Sequence, residues 1–177
     1  MADLTKIKLV LLDVDGVLTD GQIIIAPTGE LCKQFNVADG LGISIAQRLG
    51  IKIGIITGRK GEIITRRAQE LGITILYMGI SNKKQALEQI LQQEKLTLAE
   101  VAYMGDDLND LSVLQVVGLS AAPANAVVEV KERVQYICQR SGGQGAVREL
   151  LEQLLKAQGL WKKVIKEYLQ QGQGDVQ

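Results

Sequence analysis

Asp13 and Asp15 stand one residue apart at the end of an apolar run, Ile7-Lys8-Leu9-Val10-Leu11-Leu12, and lead into Gly16-Val17-Leu18-Thr19. Two carboxylates so placed repel each other and lose hydration beside an apolar core. A divalent cation relieves both costs, and a hard cation such as Mg2+ takes oxygen ligands. Three further groups follow other apolar runs: Thr57-Gly58-Arg59, then Ser81-Asn82-Lys83-Lys84, then Gly105-Asp106-Asp107-Leu108-Asn109-Asp110. Carboxylates, a hydroxyl and cations suit phosphoryl transfer, in which negative charge spreads over the equatorial oxygens and calls for cations and donors. In that chemistry Mg2+ held by Asp13 and Asp106 offsets repulsion between nucleophile and phosphate. Asp13 attacks phosphorus, and Asp15 protonates the leaving alkoxide and then activates water. The Thr57 hydroxyl and one lysine ammonium hold the phosphoryl oxygens, and Gly16 lets backbone amides approach them. The two adjacent lysines leave open which of them faces the phosphate. The chain has no histidine, which excludes His-based triads, His-ligated zinc and imidazole bases.

These residues need elements that bring them together. Apolar strand-like runs at 8–12, 52–56, 73–78, 101–104, 119–121 and 135–138 alternate with helical patterns near 41–49, 60–71, 82–94, 110–116, 126–133 and 145–158. That alternation predicts a Rossmann-like three-layer α/β/α fold around a parallel sheet. Sites in such folds form at the carboxyl ends of strands, where the acidic pairs, Thr57 and the lysines all fall. Residues 21–38 interrupt the alternation: 22–26 and 31–37 flank Pro27-Thr28-Gly29-Glu30 and predict a β-hairpin inserted after strand 1. Ile23, Ile24, Ile25 and Phe35 give that hairpin apolar surface to hide, against the body or another subunit. A helical tail is expected over 145–170, with a frayed end at 171–177. Gly142, Gly143 and Gly145 make a turn before it.

At 177 residues and 46% apolar content the chain fits one domain, 1–177, with a full core. Twenty basic side chains balance twenty acidic ones, and aromatics are 3%, so neither a nucleic-acid nor a membrane surface is indicated. No apolar run is long enough to span a bilayer, and the N-terminal residues lack the apolar stretch expected of a signal peptide. Cys32 and Cys138 match no metal or redox spacing and read as buried thiols of a cytoplasmic protein.

Asp-x-Asp-Gly-Val-Leu-Thr, the strand-end Thr57, Lys83 and Gly-Asp-Asp-x-x-Asp resemble, in order and spacing, the four motifs of the haloacid dehalogenase-like phosphatases. The resemblance implies an aspartyl-phosphate intermediate on Asp13 and acid/base work by Asp15. It selects Lys83 over Lys84, and it makes Asp13, the Asp15 carbonyl and Asp106 the Mg2+ ligands, supported by Asp107 and Asp110. Only about twenty residues separate Asp15 from the next helix, room for a hairpin but not a cap domain. With Phe35-Asn36-Val37-Ala38-Asp39-Gly40, Ser81-Asn82-Lys83 and Gly142-Gly143-Gln144-Gly145, the chain is similar to the capless 3-deoxy-D-manno-octulosonate 8-phosphate (KDO 8-phosphate) phosphatase family. That likeness implies a homotetramer assembled through the hairpin and a role in lipopolysaccharide biosynthesis. It places Asp15, Asn36, Val37, Ala38, Asp39, Gly40, Ser44, Arg59, Arg67 and Lys83 around the substrate. Ala38 and Ser44 depart from the pattern, standing where some members carry arginine, so a nonulosonate 9-phosphate is an alternative substrate.

Two other classes compete. A signalling receiver domain also gathers acidic residues, a threonine and a lysine around an aspartyl-phosphate, but its acceptor lies on a later strand, and the run at 73–78 ends without an aspartate. A binding scaffold acting through the hairpin would not need Asp13.

Overall fold

The structure, a computed structural model, describes residues 3–27 and 29–171. Its centre is a six-stranded parallel sheet of β1 (Leu9–Leu12), β4 (Lys52–Thr57), β5 (Ile75–Met78), β6 (Val101–Met104), β7 (Leu119–Ala122) and β8 (Tyr136–Ile137), in the order β5-β4-β1-β6-β7-β8. β1 sits between β4 and β6, pairing Leu12 with Ile55 and with Met104. All four of its residues are buried, as a strand covered on both faces requires. Alternate side chains enter two cores. Val10 and Leu12 pack with α1 (Val37–Arg48), α2 (Glu62–Glu70), α6 (Ala146–Ala157) and α7 (Trp161–Gln171); Leu9 and Leu11 pack with α3 (Lys83–Glu94), α4 (Leu111–Leu114) and α5 (Val128–Lys131). The result is the three-layer α/β/α fold expected.

Only a two-stranded hairpin, β2 (Ile24–Ala26) and β3 (Gly29–Cys32), stands between β1 and α1, and no cap domain occurs among the described residues. The second hairpin strand ends at Cys32 rather than running to Val37, and α1 begins about a turn earlier than its apolar pattern predicts. The cause is Asn36, whose side chain accepts the Ala38 amide and caps the helix. Gly40 weakens the helical signal, yet a Cβ there would lie 2.6 Å from the Arg67 guanidinium. Phe35 packs on the core under that guanidinium, 5.5 Å from its ring centre, so among the described residues the exposed large apolar side chains of the hairpin are Ile24 and Ile25.

At the far end, α6 buries Val147, Leu150, Leu151, Leu154 and Leu155 on one face, a stripe at helical spacing. Its Glu149 carboxylate accepts from the Tyr136 hydroxyl and the Gln139 and Arg140 amides, tying the helix to β8. Of the frayed end expected at 171–177, Gln171 is the last residue of α7, and the remainder, with the turn residue Thr28, lies outside the described residues. Cys138 is a buried free thiol, pushed up to about 12 by burial, whereas Cys32 is only half-buried, against expectation. No helix among the described residues is long and apolar enough to cross a membrane.

Candidate active site

The carboxyl ends of β1, β4 and β6 open on one crevice of about 330 Å3, lined by Asp13, Asp15, Thr57, Arg59, Asp106 and Asp107 among others. Asp13 follows β1 directly and is 5% exposed. Its Oδ1 accepts its neighbour Val14's amide at 2.7 Å and its Oδ2 meets Lys83 Nζ at 2.9 Å. Lys83 opens α3 behind the Asn82 cap and points inward, 2% exposed, while Lys84 faces solvent. The geometry thus decides between the two lysines: a buried ammonium needs a carboxylate partner, and Lys83 has Asp13 and, at 2.7 Å, Asp110.

Asp110 is fully buried. Its Oδ1 also accepts from the Tyr103 hydroxyl at 2.5 Å, and its Oδ2 accepts the Asp106 and Asp107 amides at 3.0 and 3.3 Å. These bonds fold the Gly105–Asp110 loop so that Asp106 faces Asp13. Gly16, at φ +85°, permits the approach: a Cβ there would lie 1.9 Å from Asp106 Oδ2. Asp107 caps its own turn through the Leu108 amide.

One oxygen each of Asp13, Asp106 and Asp110 falls within 4.8 Å of the others. Burial, then the Asp110 charge, raises Asp13 to about 6. Burial and the charges of Asp110, Asp13 and Asp107 raise Asp106 to about 7. Lys83 is too little to offset this crowd, and a divalent cation fits the surplus. Each Asp13 oxygen makes one contact, with the Val14 amide or with Lys83, and keeps a lone pair for the cation, and Asp106 faces it from β6. Asp110 is committed to Lys83, Tyr103 and two amides, which makes it a support.

Thr57 closes β4, buried at 1%, with its hydroxyl accepting the Arg59 amide. The Asp15 carboxylate is held from two sides, by Lys33 Nζ on Oδ1 at 2.5 Å and by Arg59 Nε on Oδ2 at 3.3 Å. Asn36, Val37, Ala38, Asp39, Gly40, Ser44 and Arg67, expected around the substrate, do not line this crevice. They occupy the cap and body of α1 and the middle of α2. Asp39 is 1% exposed and its Oδ1 accepts the Arg148 amide, which caps the first turn of α6.

Sequence reasoning missed three residues. Tyr103 reads as one more core residue of β6, and nothing in Val101-Ala102-Tyr103-Met104 reveals its hydroxyl's partner. Lys33 lies in a hairpin whose register the apolar pattern left loose. Asn125 donates to the Gly16 carbonyl and accepts the Gly142 amide, clamping the β1 loop to the turn before α6; a lone loop asparagine gives no signal of this.

A family model described as haloacid dehalogenase-like hydrolase matches residues 77–150. KdsC, the 3-deoxy-D-manno-octulosonate 8-phosphate phosphatase of Escherichia coli (strain B / BL21-DE3), is 47% identical over 159 residues, 90% of this chain and 85% of that protein. The crystal structure of the Moraxella catarrhalis 3-deoxy-D-manno-octulosonate 8-phosphate phosphatase, in complex with magnesium ion, phosphate ion and KDO, superposes with TM-score 0.91 at 39% identity, covering 94% of this chain and 95% of that one. The cobalt-bound form of the Haemophilus influenzae phosphatase (YrbI) gives TM-score 0.87 at 40% identity over 89% of this chain and 92% of that one. The receiver and scaffold readings are thereby set aside. The chain belongs to the 3-deoxy-D-manno-octulosonate 8-phosphate phosphatase family of haloacid dehalogenase-like hydrolases, and it is a phosphatase.

Proposed function

We propose that this phosphatase releases phosphate from 3-deoxy-D-manno-octulosonate 8-phosphate, with Mg2+, through a phosphoryl group carried on Asp13. The observation that carries the reading is the convergence of Asp13 and Asp106 beside Lys83 at the ends of β1 and β6. The names of the relatives supply the sugar acid, and the Moraxella catarrhalis complex supplies a precedent for magnesium and phosphate in this fold.

When bound, Mg2+ held by Asp13, Asp106 and the Asp15 carbonyl would lower the repulsion between an anionic nucleophile and an anionic ester. One oxygen of Asp13 attacks phosphorus as the bond to the sugar oxygen breaks, and Asp15 gives that oxygen its proton. Asp15 then takes a proton from water, whose oxygen attacks the phosphoryl group and frees phosphate and Asp13. Lys83 and Thr57 hold the phosphoryl oxygens, and Arg59 faces the crevice beside Asp15.

Asn36, Val37, Ala38, Ser44 and Arg67 lie off their own crevice. We assign them to a site closed by a neighbouring chain in a homotetramer that also covers Ile24 and Ile25, which are 42% and 73% exposed. Asp39 we assign to capping α6, because it is buried and its Oδ1 accepts the Arg148 amide. Gly40 serves the close packing of Arg67. A phosphate-release screen over octulosonate and nonulosonate phosphates, with and without Mg2+, tests the reading. The highest kcat/KM is expected for the octulosonate ester. A clear preference for a nonulosonate 9-phosphate, which the missing arginines at 38 and 44 favour, reverses the substrate assignment.

A further inference from the structure

We infer that Lys33, on the hairpin, is a positioning residue for the acid that protonates the leaving group. The inference rests on the proposed role of Asp15. Lys33 follows β3 directly, and its Nζ donates to Asp15 Oδ1 at 2.5 Å. Its side chain is fully buried, whereas that of Asp15 is 22% exposed and that of Arg59 is 51% exposed. Asp15 and Arg59 line the crevice and Lys33 does not. Lys33 meets the site at Asp15, whereas Lys83, equally enclosed, meets it at the nucleophile Asp13, so the effect of Lys33 on the reaction runs through the Asp15 carboxylate.

The two cations on Asp15 differ in what they allow. Arg59 is long, half in solvent and can leave Oδ2 when a phosphate ester enters. Lys33 cannot follow, because its side chain is fully enclosed. Oδ1 is thus tethered and Oδ2 is the oxygen presented to the leaving group. Fixing one oxygen fixes the rotation of the carboxylate, and proton transfer needs a heavy-atom distance of about 2.6–3.2 Å. The hairpin, otherwise an insertion between β1 and α1, in this way supplies a working part of its own chain's site.

The test compares two esters in one variant. An alkyl ester such as a sugar phosphate needs its leaving oxygen protonated; p-nitrophenyl phosphate, with a stable phenolate, hardly does. The ratio of kcat/KM values for the first transfer cancels losses from partial unfolding, which strike both esters alike. Lys33→Met should lower kcat/KM for the octulosonate ester by on the order of 10^2-fold, while p-nitrophenyl phosphate falls by less than about threefold. Lys33→Arg, which can still donate, should recover most of the difference. Asp15→Asn serves as the reference and should show the same selectivity, and Lys33→Met added to Asp15→Asn should cost nothing further on the ratio. A Lys33→Met enzyme that loses both esters equally, or neither, beside a selective Asp15→Asn overturns the positioning role alone. An Asp15→Asn enzyme that loses both equally overturns the acid assignment of Asp15, and this inference with it.

Discussion

Lys83 carries its charge at 2% exposure between Asp13 and Asp110, and that arrangement is stable only while all three are present. Removing one member of a buried ion network leaves the others uncompensated, at a cost of about 3–5 kcal/mol. Lys83→Met should therefore lower the unfolding free energy of the metal-free protein by about that much, read from urea melts. It should also lower kcat by at least on the order of 10^2-fold, because the phosphoryl oxygens lose a preorganised cation. Loss of turnover with unchanged stability would mean that the ion network is not what holds Lys83. Tyr103 plays a quieter part. Its hydroxyl is one of several donors to Asp110, so Tyr103→Phe leaves Lys83 and the two loop amides in place. It should cost about 1.5–3 kcal/mol, the range for a hydrogen bond to a charged group, and leave most of the turnover intact. A variant as damaged as Lys83→Met would show that Tyr103, and not the lysine, sets the position of Asp110.

The elements meet most closely where the β1 loop touches the turn before α6. Gly142 lies so near Gly16 that a Cβ would fall 1.8 Å from the Gly16 carbonyl oxygen, and the Gly143 amide donates to Val17. Both sides are backbone, so neither can rotate away, and Gly142→Ala must push the two loops apart. We expect a loss of about 1–3 kcal/mol, as for overpacking a core, and a drop in kcat because Gly16 adjoins Asp15 and Asp106. A fully active, equally stable Gly142→Ala enzyme would show that this contact does not position the site. Such contacts explain what the sequence could and could not disclose. β1, β4 and β6 were legible because strands buried on both faces read as apolar runs, and the acidic pairs and Thr57 fall at their ends. The inward turn of Lys83 over Lys84 became physical only once the Asn82 cap set the phase of α3. The start of α1 was hidden because Asn36 and Gly40 read as turn residues until the Arg67 contact is seen. Lys33, Asn125 and the capping role of Asp39 rest on contacts across more than a hundred positions or between a short hairpin and the sheet, and no local pattern encodes them.

At the scale of the whole chain, the site is a local excess of negative charge that the rest of the fold must hold in place. With no metal bound, burial and like charges keep Asp13 at about 6 and Asp106 at about 7, against an ordinary 3.8. Between those limits the folded chain binds protons that the unfolded chain has released, so metal-free stability must fall as pH rises from about 4 to about 7. This is the reverse of a salt-bridged carboxylate, whose stabilising effect is lost as pH falls. A divalent cation does the work of those protons at neutral pH. It should raise the unfolding free energy by about 2.7 kcal/mol at a hundredfold excess over its Kd. For a chain of this length that is a rise in Tm of roughly 5–10 °C, larger at about pH 7.5 than at about pH 5. Asp106→Asn separates this linkage from an unspecific salt effect. The substitution removes one of the repelling charges and one of the ligands, so the metal-free variant should melt higher than the metal-free wild type at neutral pH. It should also ignore Mg2+ and lose turnover, which is the expected exchange of function for stability at a charged site. Thermal melts of both proteins, with EDTA and with Mg2+ at the two pH values, decide the matter. An Asp106→Asn protein that melts lower without metal, or still rises with Mg2+, would mean that the carboxylates of β1 and β6 are not the group whose repulsion the cation relieves.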